Sequence, residues 1–217
     1  MYNVMAVVGQ PPRVRRTQAE RRAATRTALL DATIASLVDE GYANTTTRGI
    51  AERAGVTPGA LQHHFATKVE LMAEARRRIS TKIVEEVLAQ GDLTGLPLLA
   101  RSERLLDLMW ELYRGPLFQA GMELWIAART DAELRASLVE VQHMGGEFIA
   151  AVGPTVYPEV DDQLGVTELI ATGDAALRGL AVLRFVNPSD ADRMWPATRA
   201  FLLGFGGPLR DEAEKSP

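Results

Sequence analysis

The feature that most constrains this chain is a pair of short predicted helices, residues 47–54 and 58–64, joined by only a few residues. Gly55 suits a tight turn between them. Thr57 is a favoured helix cap, and Pro58 is favoured at the first helical position, where its missing amide hydrogen has no intrahelical partner. Two short helices with so small a connection must cross steeply, as in a helix-turn-helix.

The remaining sequence predicts an all-α protein. Apolar residues recur at spacings of three and four, and no sustained alternation with a period of two occurs. Glycines and prolines mark the helix ends. The predicted helices are approximately 19–40, 47–54, 58–64, 68–90, 101–114, 117–129, 131–152, 163–186 and 190–206.

The net charge of −4 conceals an uneven distribution along the chain. Residues 1–82 contain 13 Lys and Arg against 7 Asp and Glu, a balance of +6, and the remaining residues contain 11 against 21, a balance of −10. A basic segment favours a polyanionic partner, which an acidic segment would repel. The first part is therefore predicted to bind nucleic acid, and the second to contact protein or a small molecule.

Three regions follow from this division. Residues 1–18 are predicted to form a flexible basic arm, residues 19–66 a helix-turn-helix DNA-binding domain, and residues 67–217 a larger helical domain. Helix 68–90 connects the last two regions. The arm carries three candidates for additional phosphate or minor-groove contacts, which are Arg13, Arg15 and Arg16.

Helix 58–64 has one apolar side and one small polar side. Leu61 and Phe65, four residues apart, are predicted to pack against the preceding helix. The other side carries Thr57, Gly59, Ala60, Gln62 and His63. Such a helix enters a DNA major groove about 12 Å wide, where amide and imidazole groups reach base edges. The alternative is a protein-interaction module in which the helix-turn-helix is only a scaffold.

Helix 68–90 begins with a predicted capping box, because Thr67 is followed three residues later by Glu70. Lys68 lies in its first turn, where the helix dipole disfavours a positive charge. A nearby DNA phosphate would offset this unfavourable position. The run from Arg76 to Arg78 is interpreted as a solvated face of the same helix.

Several of these residues stand at the spacing of TetR-type transcriptional regulators. They are Ala54-Gly55-Val56, Gly59-Ala60-Leu61, His64-Phe65, and Lys68 three residues before Leu71. The segment from about Arg21 to Ala75 resembles that family. The resemblance implies an amino-terminal three-helix DNA-binding domain, followed by a helical domain that binds a ligand and dimerises.

The resemblance also implies roles for individual residues. In this family the third helix reads bases, while helix caps and the lysine after the His-Phe pair hold phosphates. Those roles fall on Thr46, Thr57, Gln62, His63 and Lys68, and the candidate DNA-contacting set also includes Thr47, Arg48, Gly59 and Ala60. Gln62 stands where relatives commonly have Tyr, so an amide able to pair with adenine replaces an aromatic ring.

The carboxyl-terminal region contains many Met, Trp, Tyr and Phe residues. Each alone is more simply a core residue, but as a group interleaved with polar side chains they predict a mostly apolar cavity with a few polar anchors. We therefore expect an apolar or aromatic small-molecule effector. The candidate ligand-binding residues are Met109, Trp110, Tyr113, Phe118, Met122, Trp125, Arg129, Met144 and Phe148.

The last two predicted helices, 163–186 and 190–206, mix small and apolar residues. Small residues let helices approach closely, so these two are predicted to pair with their copies in a homodimeric four-helix bundle. Packing within one chain is the alternative. A twofold dimer would present its reading helices to half-sites about 34–36 Å apart on a near-palindromic operator of double-stranded DNA.

Composition and motifs disfavour several other classes. The chain has no cysteine, which excludes disulfides and thiolate sites and is typical of a reducing, cytoplasmic environment. His63 and His64 diverge by about 100° on a helix, so neither a metal nor a cofactor is predicted. An enzyme is disfavoured because no glycine-rich phosphate loop or nucleophile elbow occurs. No apolar run reaches the roughly 18 residues of a membrane span, and no signal peptide is recognised.

Together these features predict a cytoplasmic, ligand-responsive transcriptional regulator. The most economical form is a repressor released from its operator by a small apolar or aromatic effector.

Overall fold

The computed structural model describes residues 17–89, 91, 93, 95–141 and 166–205. These residues form helices and no strand, which confirms the all-α prediction. The predicted arm, with Arg13, Arg15 and Arg16, lies outside the described residues except for its last two positions. The helices are α1 (Gln18–Asn44), α2 (Thr47–Arg53), α3 (Pro58–His64), α4 (Lys68–Leu88), α5 (Leu98–Arg114), α6 (Pro116–Ala128), α7 (132–141 in its described part), α8 (Val166–Leu183) and α9 (Pro188–Phe205).

The start of α1 is determined by a capping box that was not predicted from the sequence. The hydroxyl oxygen of Thr17 accepts a hydrogen bond from the Glu20 amide at 3.2 Å, and the Glu20 carboxylate accepts one from the Thr17 amide at 2.8 Å. These bonds satisfy amides that a helix start otherwise leaves unpaired. The helix therefore begins at Gln18, close to the predicted residue 19.

The regular part of α1 ends at Gly41, directly after the predicted helix 19–40, and a short segment continues to Asn44 beyond this kink. Gly41 has φ 72° and ψ 168°, a conformation that other residues rarely adopt. A Cβ atom there would lie 3.1 Å from Oε2 of Glu123, which accepts a hydrogen bond from the Tyr42 amide at 2.8 Å. The glycine therefore lets the end of α1 approach α6 closely.

The buried apolar side chains form two clusters. The first joins α1–α4 to α6 and α7, and the second lies among α5, α6, α8 and α9. In the second cluster Trp110 stacks on Trp195 with ring centroids 5.0 Å apart. α6 belongs to both, through Leu124 in the first and Phe118 in the second. The helix-turn-helix segment thus shares its core with α6 and α7.

Among the helices that the structure describes, none is both long and apolar enough to span a bilayer.

Ion pairs hold α4 against α1. The Asp31 carboxylate accepts hydrogen bonds from Arg78 at 2.8 and 2.9 Å and from Lys82 at 2.9 Å. The bond from Arg78 lowers the pKa of Asp31, and Lys82 adds to this effect, whereas partial burial opposes it. The interpretation of residues 76–78 as a solvated face is therefore wrong for Arg78, whereas Arg77 pairs with Glu74 on the same helix and stays partly exposed.

Gly41→Ala is expected to lower the free energy of unfolding by about 1–3 kcal/mol, because alanine is strained at this φ and crowds the Glu123 carboxylate. Gly59→Ala is a matched control, since Gly59 has helical backbone and open space around its Cβ position. Urea unfolding at one protein concentration measures both variants. Equal effects of the two substitutions would contradict this account of Gly41.

Asp31→Asn is expected to destabilise the protein at neutral pH. Because the folded-state pKa of Asp31 is lowered, its contribution is present above the unfolded value of about 3.9 and disappears as pH falls through the folded value. The stability difference from wild type should therefore be constant above about pH 5 and shrink below about pH 4. Glu52→Gln, which removes an exposed pair with Arg48, should change stability little at any pH. A difference for Asp31→Asn that persists undiminished in acid would refute this assignment.

Candidate DNA-binding surface and ligand cavity

α2 and α3 form the predicted helix-turn-helix. Gly55, with φ 70°, makes the turn, and the amide of Val56 donates a hydrogen bond to the carbonyl of Ala51 at 3.0 Å. Leu61 on α3 is only 4% exposed and belongs to the first core cluster. The turn and this buried leucine together hold α3 against α2 and leave its opposite side exposed.

Threonine hydroxyl groups cap both short helices. The hydroxyl oxygen of Thr46 accepts a hydrogen bond from the Gly49 amide at 3.0 Å, and that of Thr57 accepts one from the Ala60 amide at 3.2 Å. Both threonines are exposed. A hydroxyl that accepts a bond in this way keeps its own hydrogen to donate to an external acceptor such as a phosphate oxygen.

Most of the predicted DNA-contacting residues lie at the surface. We define the reading surface as its seven exposed members, which are Thr46, Thr47, Arg48, Thr57, Gly59, Gln62 and His63. Ala60 and Lys68 are half-buried. Arg48 donates a hydrogen bond to Glu52 at 2.9 Å, and this bond raises the pKa of Arg48. A DNA phosphate would compete with Glu52 for this guanidinium.

Lys68 has partners within the protein. Its amine donates to the carbonyl of Tyr42 at 3.5 Å and lies 4.4 Å from the centroid of that ring. Burial lowers the pKa of Lys68, while Asp131 opposes this effect. The cap before it also differs from the prediction, because the Glu70 carboxylate accepts its bond from the amide of Ala66 rather than Thr67.

The two adjacent histidines have different surroundings. His63 is exposed, whereas His64 is half-buried, with its ring centroid 6.4 Å from that of Phe65. Burial, followed by the nearby cations Arg22 and Arg26 and by His63, lowers the pKa of His64 and favours its neutral form. Within the described part of the chain, no group of three or more acidic or histidine side chains is placed to hold a metal ion.

A small cavity that opens to solvent lies among α4, α5, α6 and α8. Four candidate ligand-binding residues line it, namely Tyr113, Phe118, Met122 and Trp125. Trp110 and Met109 instead pack in the second core cluster, against Trp195 and its neighbours. Arg129 is exposed at the end of α6 and does not line the cavity. Met144 and Phe148 lie outside the described residues.

Several cavity residues were not predicted from the sequence. They are Arg76, Ile79 and Ile83 on α4, Leu117 and Gly121 on α6, and Arg178 on α8. The first three stand three and four residues apart, which places them on one helix face. Because Ile79 and Ile83 are apolar, this spacing was a signal that Arg76 faces the interior and not the solvent.

Polar groups at the cavity form a connected set. The hydroxyl group of Tyr113 donates a hydrogen bond to Asp174, and Arg178 pairs with the same carboxylate at 2.6 Å. The guanidinium carbon of Arg178 lies 4.3 Å from the centroid of the Trp125 ring. Burial raises the pKa of Tyr113 further above its ordinary value, so its phenol stays protonated at neutral pH.

α6 connects the cavity to the end of α1. The side-chain amide of Gln119 donates a hydrogen bond to the carbonyl of Val38 at 3.1 Å. Gln119 directly follows Phe118 and lies one turn before Met122, and both of these residues line the cavity. The Glu123 carboxylate accepts a hydrogen bond from the amide of Tyr42. Any displacement of α6 by a ligand would therefore act on the end of α1.

α8 and α9 present exposed apolar side chains. On α8 the exposed residues include Ala175, Gly179 and Val182, at spacings of four and three that place them along one face, and Val186 is exposed in the turn that follows α8. On α9 Met194 is 44% exposed and Phe201 is 62% exposed. Large apolar residues concentrated on two adjacent helices are typical of a surface covered by a partner.

Comparisons with known proteins agree with this architecture. Residues 29–75 match the family model described as bacterial regulatory proteins, tetR family. An uncharacterised HTH-type transcriptional regulator of Mycobacterium tuberculosis is 32% identical over 142 residues, which cover 63% of this chain and 68% of the relative.

Solved structures share the fold. A transcriptional regulator from Rhodococcus sp. Rha1 matches with a TM-score of 0.66 and 21% identity, over 83% of this chain and 94% of that one. The multidrug binding protein EbrR, crystallised with imidazole, matches with a TM-score of 0.58 and 25% identity, over 82% and 92%.

Proposed function

This chain belongs to the tetR family of bacterial regulatory proteins, and we propose that it is a ligand-responsive repressor acting on a near-palindromic DNA operator. The observation that carries the proposal is the exposed side of α3, where Gln62 and His63 project from a helix held by a buried leucine and a tight turn. A seven-residue helix is about 10 Å long, short enough to lie in a major groove about 12 Å wide.

In this proposal the reading surface divides into two functions. Gln62 and His63 contact base edges, because amide and imidazole groups both donate and accept hydrogen bonds. Thr46, Thr57 and Arg48 hold phosphates, through hydroxyl groups at helix starts and a guanidinium that exchanges Glu52 for DNA. Thr47, Gly59 and Ala60 complete the contact area with small side chains.

Lys68 is proposed to bind a phosphate after leaving the ring of Tyr42. Its amine is only half-buried, and burial lowers its pKa. An ammonium group gains more from a phosphate than from a neutral carbonyl, because a hydrogen bond between charged partners is roughly twice as strong. The contact with Tyr42 then pre-positions the lysine beside the start of α4.

Selection of binding sequences from random duplex DNA, followed by gel-shift titration at fixed salt, tests the proposed function. We expect recovery of a near-palindromic site whose affinity exceeds that of random DNA by at least about 1,000-fold. Equal affinity for selected and random DNA would refute the regulator and leave the helix-turn-helix as a scaffold.

Gln62→Ala and Lys68→Ala serve as controls for each other. Gln62→Ala should relax preference at one base position, with a loss of about 1–3 kcal/mol of discrimination. Lys68→Ala should weaken binding to all sequences and reduce the slope of log affinity against log salt by about 0.9. An unchanged slope would leave Lys68 with its structural contact to Tyr42 alone, and a uniform loss for Gln62→Ala would move Gln62 to the DNA backbone.

The dimer is proposed to form through α8 and α9. The small residues Ala175 and Gly179 allow close approach of two α8 helices, and Val182 and Val186 supply apolar area to bury. Because the same face of each copy meets at a twofold axis, every contact occurs twice. Two copies of α3 then face successive turns of one operator.

Val182→Glu should weaken the dimer by roughly 100-fold or more, because two carboxylates would be buried near the axis without partners. Val139→Glu is the matched control, since Val139 is 48% exposed on α7, outside the proposed interface. Sedimentation velocity across a concentration series measures both variants. A wild-type chain that stays monomeric throughout, or equal dissociation by the two substitutions, would exclude this interface.

The effector is proposed to bind in the cavity and to lower DNA affinity. EbrR, which has the same fold, binds small molecules, and this supports the assignment. The lining residues Phe118, Met122 and Trp125 favour an apolar or aromatic compound. Binding would shift the equilibrium toward a dimer with differently spaced α3 helices, only as far as the ligand prefers that state.

Two routes would carry this shift. α4 runs from Lys68, beside the reading surface, to Arg76, Ile79 and Ile83 at the cavity. α6 runs from the cavity wall to the contact of Glu123 with α1. The proposed division into an arm, a DNA-binding region 19–66 and a ligand-binding region 67–217 is a division of function. The packed core does not follow it, because the first core cluster contains residues from both of the last two regions.

A further inference from the structure

The cavity among α4, α5, α6 and α8 contains two arginines whose charges are compensated differently. Arg178 pairs with Asp174 at 2.6 Å and stacks on Trp125. Arg76 donates a hydrogen bond to the hydroxyl group of Ser80 at 2.6 Å, and within the described residues it forms no ion pair. The described groups of the cavity therefore carry one positive charge in excess.

This excess charge is unfavourable without a ligand. Burial, and secondarily the charge of Arg178, lower the pKa of Arg76, while Tyr113 and Asp174 oppose this effect. A guanidinium nevertheless remains protonated at any physiological pH, so Arg76 cannot remove this unfavourable charge by losing a proton. A partly buried cation beside apolar walls gains most from an anion that brings its own apolar surface.

We propose that the effector is a small organic monoanion, in which one carboxylate pairs with Arg76 and an aromatic or branched apolar body packs against Phe118, Met122 and Trp125. This inference rests on the proposed function of the same cavity. The planar fork of a guanidinium matches a carboxylate with two parallel hydrogen bonds. Tyr113 and Arg178 are engaged by Asp174, which leaves Arg76 as the anion-binding group.

A single uncompensated charge also selects among anions. One carboxylate neutralises the excess charge, whereas a phosphate monoester, with a charge of about −1.5 to −2, would leave a net negative charge in an apolar cavity. An organic cation would add to the charge of Arg76. The expected order of affinity is therefore carboxylate, then a neutral compound of the same shape, then an ammonium compound.

Isothermal titration calorimetry of the full chain without DNA tests this order, with phenylacetate, phenylacetamide and phenethylamine at neutral pH as probes. We expect phenylacetate to bind roughly 10- to 100-fold more tightly than phenylacetamide, the gain of a charge-assisted contact over a neutral one. Phenethylamine should bind most weakly. Equal or tighter binding of the amide or the amine, or no binding of any probe, would overturn the proposal.

Two arginine variants locate the anion-binding group. Arg76→Gln should abolish the preference for phenylacetate over phenylacetamide, and circular dichroism with a cooperative urea transition shows that the variant is folded. Arg129→Gln is the matched control, because Arg129 is an exposed arginine at the end of α6, outside the cavity. It should retain the preference. A preference that survives Arg76→Gln would overturn the assignment.

A separate measurement distinguishes failure of this inference from failure of the proposed function. Phenylacetate is added to the complex of the protein with its selected operator, and release is followed by fluorescence anisotropy. If phenylacetate binds through Arg76 but does not release the operator, the proposed ligand-responsive repression is contradicted, and the proposed anion-binding site is not. If phenylacetamide releases the operator as effectively as phenylacetate does, the proposal of an anionic effector is contradicted, and the proposed repressor function is not.

Discussion

The close approach of α1 and α6 is the contact on which the rest of this structure depends. It requires a glycine at position 41, where the backbone has positive φ and a Cβ atom would lie 3.1 Å from the Glu123 carboxylate. At this contact the Glu123 carboxylate accepts a hydrogen bond from the amide of Tyr42, and the side-chain amide of Gln119 donates one to the carbonyl of Val38. Because α6 also contributes to both core clusters, the helix-turn-helix and the cavity share one packed framework.

In the proposed function, this framework couples the cavity to the reading surface. Packed interiors respond to a ligand by moving between discrete arrangements and do not deform gradually. α4 carries cavity residues about two to four turns beyond Lys68, and its ion pairs with Asp31 tie it to α1. A ligand that contacts Arg76 therefore acts on the same helix that begins at the edge of the reading surface.

Charge has opposite roles at the two sites. At the reading surface Arg48 pairs with Glu52, and both its guanidinium and the Gln62 amide remain exposed to solvent. In the cavity, Arg178 is neutralised by an internal carboxylate, while Arg76 has only a hydroxyl partner among the described residues. The cost of burying a charge thus separates a structural arginine from one suited to a ligand.

Local signals in the sequence determined the all-α class, the turn at Gly55 and the caps at Thr46 and Thr57, because each depends on residues within one or two turns. The uneven charge distribution likewise indicated which part of the chain faces DNA. Tertiary packing alone decided that Trp110 joins a core cluster while Trp125 lines the cavity. It also brought Arg76, about 100 residues earlier in the chain, to the same cavity as Arg178, where it forms no ion pair with another described residue. Helical periodicity shows that a side chain faces inward, but only the arrangement of distant helices determines whether it meets a neighbour or open space.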